Sequence, residues 1–297
     1  MNILVILLDG LVYSSWLFIV STGLTLIYGV MRILNMAHGS MYAIGAYTAA
    51  TIVGIYFNHG FVPWGSYFFF ISGAMFAGII AGLLIERGIL RIMYGSDEVI
   101  MILVTYAILL ILEDVIKFIW GVEGYFAYQP YTYLGRSHIF GISFTNYDLY
   151  LIIVAAIIGV ILWLWLNKTR FGKLLIAVIN DQEISVAMGI NVTKVYIITF
   201  AIGCMLGALA GGLTAPGISI VPGMGIQIII VAFAVVVIGG LGSIGGALIG
   251  SLLVGMARAF AVHLFPQIEL FVIYGVMALV LAIRPHGLFV RAKVRKI

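Results

Sequence analysis

The stretch Gly240-Leu241-Gly242-Ser243-Ile244-Gly245 has the spacing G-x-G-x-x-G, which lets backbone amides approach a pyrophosphate when it follows a strand and opens a helix. The same fingerprint needs an acid about 20 residues on. Here apolar helical segments flank it and the next acid is Glu269, so it reads as a glycine-rich break between two membrane helices. Such breaks survive at membrane depth only where protein or water satisfies the freed backbone groups. A second polar interruption, Arg32 to Ser40, sets Asn35, His38 and Ser40 between strongly apolar segments. It reads either as an interfacial turn or as a broken helix whose polar groups face a translocation path. His38 has no second His, Cys or acid at metal-ligand spacing, so no metal is expected. Glu113, Asp114 and Lys117 fall at helical spacings and read as a charge cluster near the outer interface. G-x-S-x-G, H-E-x-x-H, C-x-x-C and G-x-x-x-x-G-K-[ST] are all missing. No catalytic residue, cofactor or ATP site is therefore expected in this chain.

The elements that hold these residues follow from composition. The chain has 297 residues, 64% hydrophobic and 9% charged, with mean hydropathy +1.22. A soluble domain carries about 25% charged residues. The fold class is thus all-α: a polytopic membrane helix bundle, one transmembrane domain over 1–297, with the lipid bilayer as its solvent. The net charge of +4 sits in short connections and gives no nucleic-acid signal. The lone Cys204 lies in an apolar run and reads as packing. Apolar segments run at 10–31, 41–57, 66–86, 99–120, 147–166, 193–215, 226–240, 246–264 and 268–284. That gives eight to nine hydrophobic segments including broken or half helices, because 226–240 is short against the about 20 residues a span needs.

No Lys or Arg precedes Arg32, so the N-terminus is no conventional signal peptide and is placed outside. Nine crossings then put 12 of the 15 basic residues inside: Arg32, Arg87, Arg91, Lys168, Arg170, Lys173, Lys194, Arg284, Arg291, Lys293, Arg295 and Lys296. Lys117, Arg136 and Arg258 remain. The C-terminus is cytoplasmic on this reading.

The one long polar stretch, Asn167 to Lys194, contains a short amphipathic helix over Ile179–Ile190. Ile179, Val186 and Ile190 share a face at helical period. Asn180 or Asp181 is the N-cap, Glu183 lies in the first turn, and Gly189 or Asn191 ends the helix. Two readings stand: a helix that couples the spans to a soluble partner, and a linker resting on lipid headgroups. Gly203, Gly207 and Gly211, and Gly242, Gly246 and Gly250, recur every four residues and read as flat faces for close helix packing. The loop 121–146 is rich in Tyr and Phe, including Tyr125, Tyr131 and Phe140. It reads as an interfacial aromatic belt or a docking surface for an outside partner.

Several stretches together resemble one family. Gly23-Leu-Thr-Leu-Ile-Tyr-Gly29, Leu34-Asn-Met-Ala-His-Gly39 and Tyr42-Ala-Ile-Gly-Ala-Tyr47 are similar to the opening signature of branched-chain amino acid ABC transporter permeases. Thr169-Arg-Phe-Gly-Lys173 with Ala187-Met-Gly-Ile-Asn191, Gly239 to Gly250, and Arg284-Pro-His-Gly-Leu288 resemble their inner loop, glycine-rich stretch and ending, in family order. Asn-Met-Ala-His-Gly favours the H-type (LivH-like) branch. The resemblance implies an inner-membrane importer: this permease, a second M-type permease, two cytoplasmic ATPase subunits and an extracytoplasmic substrate-binding protein. It implies that the loop 167–192 is the coupling loop, with Asn180, Asp181, Glu183, Val186, Met188 and Gly189 at the ATPase. The wider importers carry E-A-A-x-x-x-G there; Glu183 and Gly189 keep the spacing, while Ile184 and Ser185 replace the alanines. Substrates similar members take include leucine, isoleucine and valine, and relatives take other amino acids, amides or urea. The alternative is an ion-gradient-driven secondary transporter of small amino acids or amides, which should carry buried acids at the membrane midplane. A membrane-embedded enzyme lacks its catalytic set.

The orientation is testable by labelling. Ser137→Cys and Ile297→Cys should react with an impermeant thiol reagent from opposite sides of the membrane, Ser137→Cys from outside. Reaction of both from one side would overturn it.

Overall fold

An apolar run can satisfy its own backbone in lipid only as a helix, and helices account for nearly all of this chain. The structure, a computed structural model, describes residues 3–139, 142–285 and 287–289. In chain order it runs α1 (Ile3–Met31), α2 (His38–Asn58), α3 (Gly65–Gly88), α4 (Glu98–Trp120) and α5 (Gln129–Tyr133). An antiparallel hairpin follows, β1 (Arg136–Ile139) with β2 (Ile142–Thr145), Ser137 opposite Phe144. Then come α6 (Asn146–Lys168), α7 (Arg170–Asn180), α8 (Gln182–Ala187), α9 (Val192–Thr214), α10 (Met224–Gly239), α11 (Ile244–Leu264) and α12 (Glu269–Ile283).

Among the described residues, seven helices are long and apolar enough to cross a membrane, and Met224–Gly239 and Phe271–Ile283 are shorter apolar helices. These are the nine segments read from the sequence. The last is shorter than the sequence suggests: α12 has 15 residues, which span about 23 Å at 1.5 Å per residue. Pro266 opens a 3-10 turn ahead of it, and Pro285 stops it by restricting Arg284. The hairpin and α8 mark opposite ends of the bundle, since α6 and α9 each connect them.

The core is laid down by small residues. α1 packs along α9 and α11, and α9 also packs along α2 and α3. A Cβ at Gly45 of α2 would lie 1.9 Å from the Ala208 carbonyl oxygen, and one at Gly211 of α9 would lie 1.9 Å from that of Tyr42. Only glycine permits backbones so close. Cys204 is fully buried in this seam.

The aromatic loop is more structured than a surface belt. The Tyr67 hydroxyl donates to the Pro130 carbonyl at 2.6 Å, that of Tyr131 to Asp148 at 3.2 Å, and that of buried Tyr147 to the Leu213 carbonyl at 2.7 Å. Phe126, Tyr128 and Tyr133 stay exposed, and Phe140 lies outside the described residues. Arg258, left over by the charge count, bridges α11 to α12 through Glu269 at 2.5 Å. Its guanidinium also lies 4.0 Å above the Tyr13 ring.

Two sequence readings need correction. Glu113 does not belong with its neighbours. Asp114 and Lys117 pair in solvent at 3.0 Å, while Glu113 is 4% exposed and accepts the Gly223 amide at 2.9 Å. Its position faces the bundle, theirs the outside. Gly242 is also no member of a helix face with Gly246 and Gly250. It precedes α11, has φ +82°, and lies against Gly29 of α1, where a Cβ would be 3.2 Å from the Gly29 Cα. Gly246 and Gly250 instead abut α10, where Cβ atoms would meet the carbonyl oxygens of Gly239 at 2.2 Å and Val235 at 2.5 Å.

Gly250→Leu should therefore separate α10 from α11 and cost at least the about 1–3 kcal/mol of an overpacked core. Thermal aggregation of the purified protein checks this. An unchanged midpoint would mean the two helices tolerate separation.

Candidate functional site: the α8 end and an uncharged trough

The polar stretch folds into two helices rather than one. Thr169 starts α7: its hydroxyl accepts the Gly172 amide at 3.0 Å. Leu175 and Val178 then bury one face of α7 while Lys173 stays in solvent. Asn180 is its last residue, and Asp181 breaks the helix in an extended conformation, φ −152° and ψ 108°. Asp181 Oδ1 accepts the Ile184 amide at 2.9 Å, which caps α8. Gly189, at φ +80°, lets the Ile190 amide return to the Ser185 carbonyl at 3.0 Å. Asn191 caps α9 through the Lys194 amide at 3.0 Å.

This break overturns the shared face of Ile179, Val186 and Ile190. A helix period does not continue through an extended residue, so Ile179 and Ile190 pack on the core while Val186 turns outward. Ile184, Val186 and Met188 are 62%, 57% and 76% exposed, around a buried Ser185. Glu183 is exposed beside them.

The interruption after α1 is a broken segment inside the bundle, not an interfacial turn. Arg32 takes φ 54°, and the chain runs back along α1. The His38 Nε2 reaches the Val20 carbonyl at 2.9 Å, a level about 16 Å from the α1 C-terminus. The Thr105 hydroxyl of α4 accepts the Met36 amide at 3.2 Å and lies 3.2 Å from the Leu34 carbonyl. Asn35, His38 and Ser40 are buried to 1%, 0% and 0% exposure. They sit in the seam between helices and line neither cavity described next.

Those cavities lie along α1 between α6 and α11. One, of about 440 Å³, is lined by Ser14, Ser15, Ala156, Gly159 and Ser251 among others. The other, of about 210 Å³, is lined by Thr25, Gly29, Asn167, Gly242 and Ser243, and is walled by Ile176 and Ile179 of α7. Trp163, Ile244 and Gly245 line both, so the two form one trough from the hairpin half of the bundle to α7. Among the described residues, no Asp, Glu, Lys or Arg lines it. The Ser14, Ser15 and Ser251 hydroxyls are turned to carbonyls of their own helices. Sequence reasoning missed this trough; its one local signal is the small-residue run Ala155-Ala156 with Gly159 in an otherwise bulky segment.

Comparison with known proteins agrees with this geometry. The chain is 29% identical to the high-affinity branched-chain amino acid transport system permease protein BraD of Pseudomonas aeruginosa, over 98% of this chain and 97% of that one. It is 31% identical to the Methanocaldococcus jannaschii protein named "Probable branched-chain amino acid transport permease protein LivH", over 95% and 91%. In fold it is similar to PsaBC from Streptococcus pneumoniae, with TM-score 0.51 and 14% identity over 94% of this chain and 91% of that one. The family described as branched-chain amino acid transport system, permease component, matches residues 6–281. This integral membrane protein, with an uncharged trough that ends against α7, belongs to that family.

Proposed function

We propose that this chain is one permease of an ATP-driven importer of branched-chain amino acids in the inner membrane, with its α8 end cytoplasmic. The trough on α1 is half of the pathway, and a second permease closes it. A substrate-binding protein delivers from the hairpin side, and two ATPase subunits act from the α8 side. The observation that carries this reading is the connection between trough and tip. The trough is walled by α7, and α7 continues through Asp181 into α8, where Ile184 and Val186, with Met188 at the C-cap, are exposed. Three exposed apolar side chains at one helix tip suit a contact with a partner protein. An apolar, uncharged lining suits a branched aliphatic side chain. It also lacks the ionisable side chains that mark proton relays and many ion pathways, which favours a separate motor over a proton gradient. The two buried acids, Glu86 and Glu113, lie outside the trough's lining.

The test uses the whole transporter in proteoliposomes with radiolabelled leucine. Met188→Asp or Val186→Asp should weaken capture of the ATPase subunits by about 30-fold, the effect of losing a 2 kcal/mol anchor. Asp181→Asn should change mainly salt dependence. Full capture and stimulation in both aspartate variants would mean α8 rests on headgroups. A second variant probes the path: Ala156→Trp fills the trough on an exposed flank of α6. It should abolish leucine uptake while ATPase capture stays intact. Unchanged uptake would show that this face meets lipid.

A further inference from the structure

The α8 end holds a set of polar groups that neither the trough nor the docking face uses. Glu86, near the end of α3, is fully buried. One of its carboxyl oxygens accepts a short hydrogen bond from the Tyr94 hydroxyl. Tyr94 follows the 3-10 turn Leu90–Met93 that leads from α3 toward α4. Its ring stands edge-on to Tyr196 of α9, with centroids 5.2 Å apart and planes at 81°. The Tyr196 hydroxyl donates to Gln182 Oε1, on the first residue of α8, at 3.0 Å. Four residues, from three helices and the loop after α3, touch in succession from the buried end of α3 to the exposed tip.

A buried carboxyl group is costly without partners, and an apolar residue would pack α3 more cheaply. What Glu86 provides is a fixed acceptor for Tyr94. Burial, and then the Glu86 carboxyl beside it, push the Tyr94 hydroxyl well above its ordinary range, so it remains a donor at neutral pH. The far end of the series differs. Gln182 is exposed, so its bond to Tyr196 adds little to folding. It does tie α8, hinged at Asp181 and Gly189, to a rigid body. That body is α3 with α9, joined where Gly78 and Gly82 lie against Ala208 and Cys204.

We infer that Glu86, Tyr94, Tyr196 and Gln182 form a strut that carries displacement of α8 into the α3–α9 body, with Glu86 and Tyr94 acting as positioning residues for coupling. The inference rests on the docking reading of α8. Without the strut, a pull on α8 is absorbed at its two hinges, and ATP is hydrolysed without moving the bundle.

The decisive variant is Tyr196→Phe, which keeps the ring and its packing and removes only the bond to Gln182. In the reconstituted transporter it should leave ATPase capture intact while leucine uptake per ATP hydrolysed falls about 2- to 30-fold, the range for mutations along a coupling network. Tyr94→Phe should do the same, and the double variant should be no worse than either single one. Glu86→Gln, which still offers Tyr94 an acceptor, should retain coupling, whereas Glu86→Leu should lose it. If Tyr94→Phe or Glu86→Leu does not accumulate in the membrane, Tyr196→Phe decides alone. Wild-type uptake per ATP in Tyr196→Phe, or additive losses in the double variant, would overturn the strut. Capture lost in Met188→Asp together with wild-type coupling in Tyr196→Phe would remove the strut and leave the docking reading. Capture retained in Met188→Asp would remove both.

Discussion

In hydrocarbon no water is available to a free amide or carbonyl, so each interruption of a helix must find its partners inside the protein. This chain breaks its helices at several places and meets that requirement differently at each. After α1, the Thr105 hydroxyl takes the Met36 amide and lies within reach of the Leu34 carbonyl. Before α10, Ile220 and Tyr125 exchange backbone bonds of 3.0 and 2.9 Å, and Glu113 takes the Gly223 amide. At the end of α10, the amides of Leu288 and Phe289 cap the carbonyls of Ile238 and Gly239 at 2.9 and 3.0 Å. That last contact explains two glycine-containing stretches at once. Gly240 and Gly287 both take positive φ, and a Cβ at Gly287 would lie 2.7 Å from the Gly240 Cα.

The same contacts divide the bundle into rigid and loosely held parts. α1, α2, α3, α9 and α11 are joined by glycines and small side chains at backbone distance, which resist continuous deformation. α4 is held differently. It buries one apolar stripe, Met101, Ile108, Leu109 and Ile116, and adds polar rungs at Thr105, at the Leu109 carbonyl, which accepts from Ser40 at 3.5 Å, at Glu113, and at Trp120, which donates to Thr51 at 2.8 Å. The rest of α4 presents Leu103, Ile111 and Phe118 outward. α6 is similarly exposed and forms one wall of the trough. A trough between a rigid wall on α1 and α11 and a loosely packed wall on α6 can change width without repacking the core.

The membrane class, the nine segments and the shortness of α10 were legible because they depend on composition and run length, which tertiary contacts do not change. The cap at Asp181 was legible because capping is local chemistry, whereas Asn191, read as a helix end, caps the start of α9. The single helix over Ile179–Ile190 was wrong because periodicity assumes a continuous helix, and one extended residue at Asp181 resets the phase. Glu113 was misplaced for a related reason. Spacing put it with Asp114 and Lys117, but adjacent residues on a helix point about 100° apart. His38 and Asn35 were singled out correctly as a break, yet spacing could not say that the segment turns back into the bundle. The trough left almost no trace in the sequence, since it is made by the gap between α6 and α11 and not by any residue type.

An uncharged trough has a consequence for how transport is driven. In the proposed path a zwitterion meets no Asp, Glu, Lys or Arg among the described lining residues. No passage accumulates its cargo through affinity alone: accumulation needs an energy source that drives the conformational change. In the proposed importer, selection and capture belong to the substrate-binding protein and direction to the ATPase subunits. The permease in that proposal presents the passage and responds when α8 moves. Among its buried polar groups, Thr105 and Glu113 hold broken helices in place.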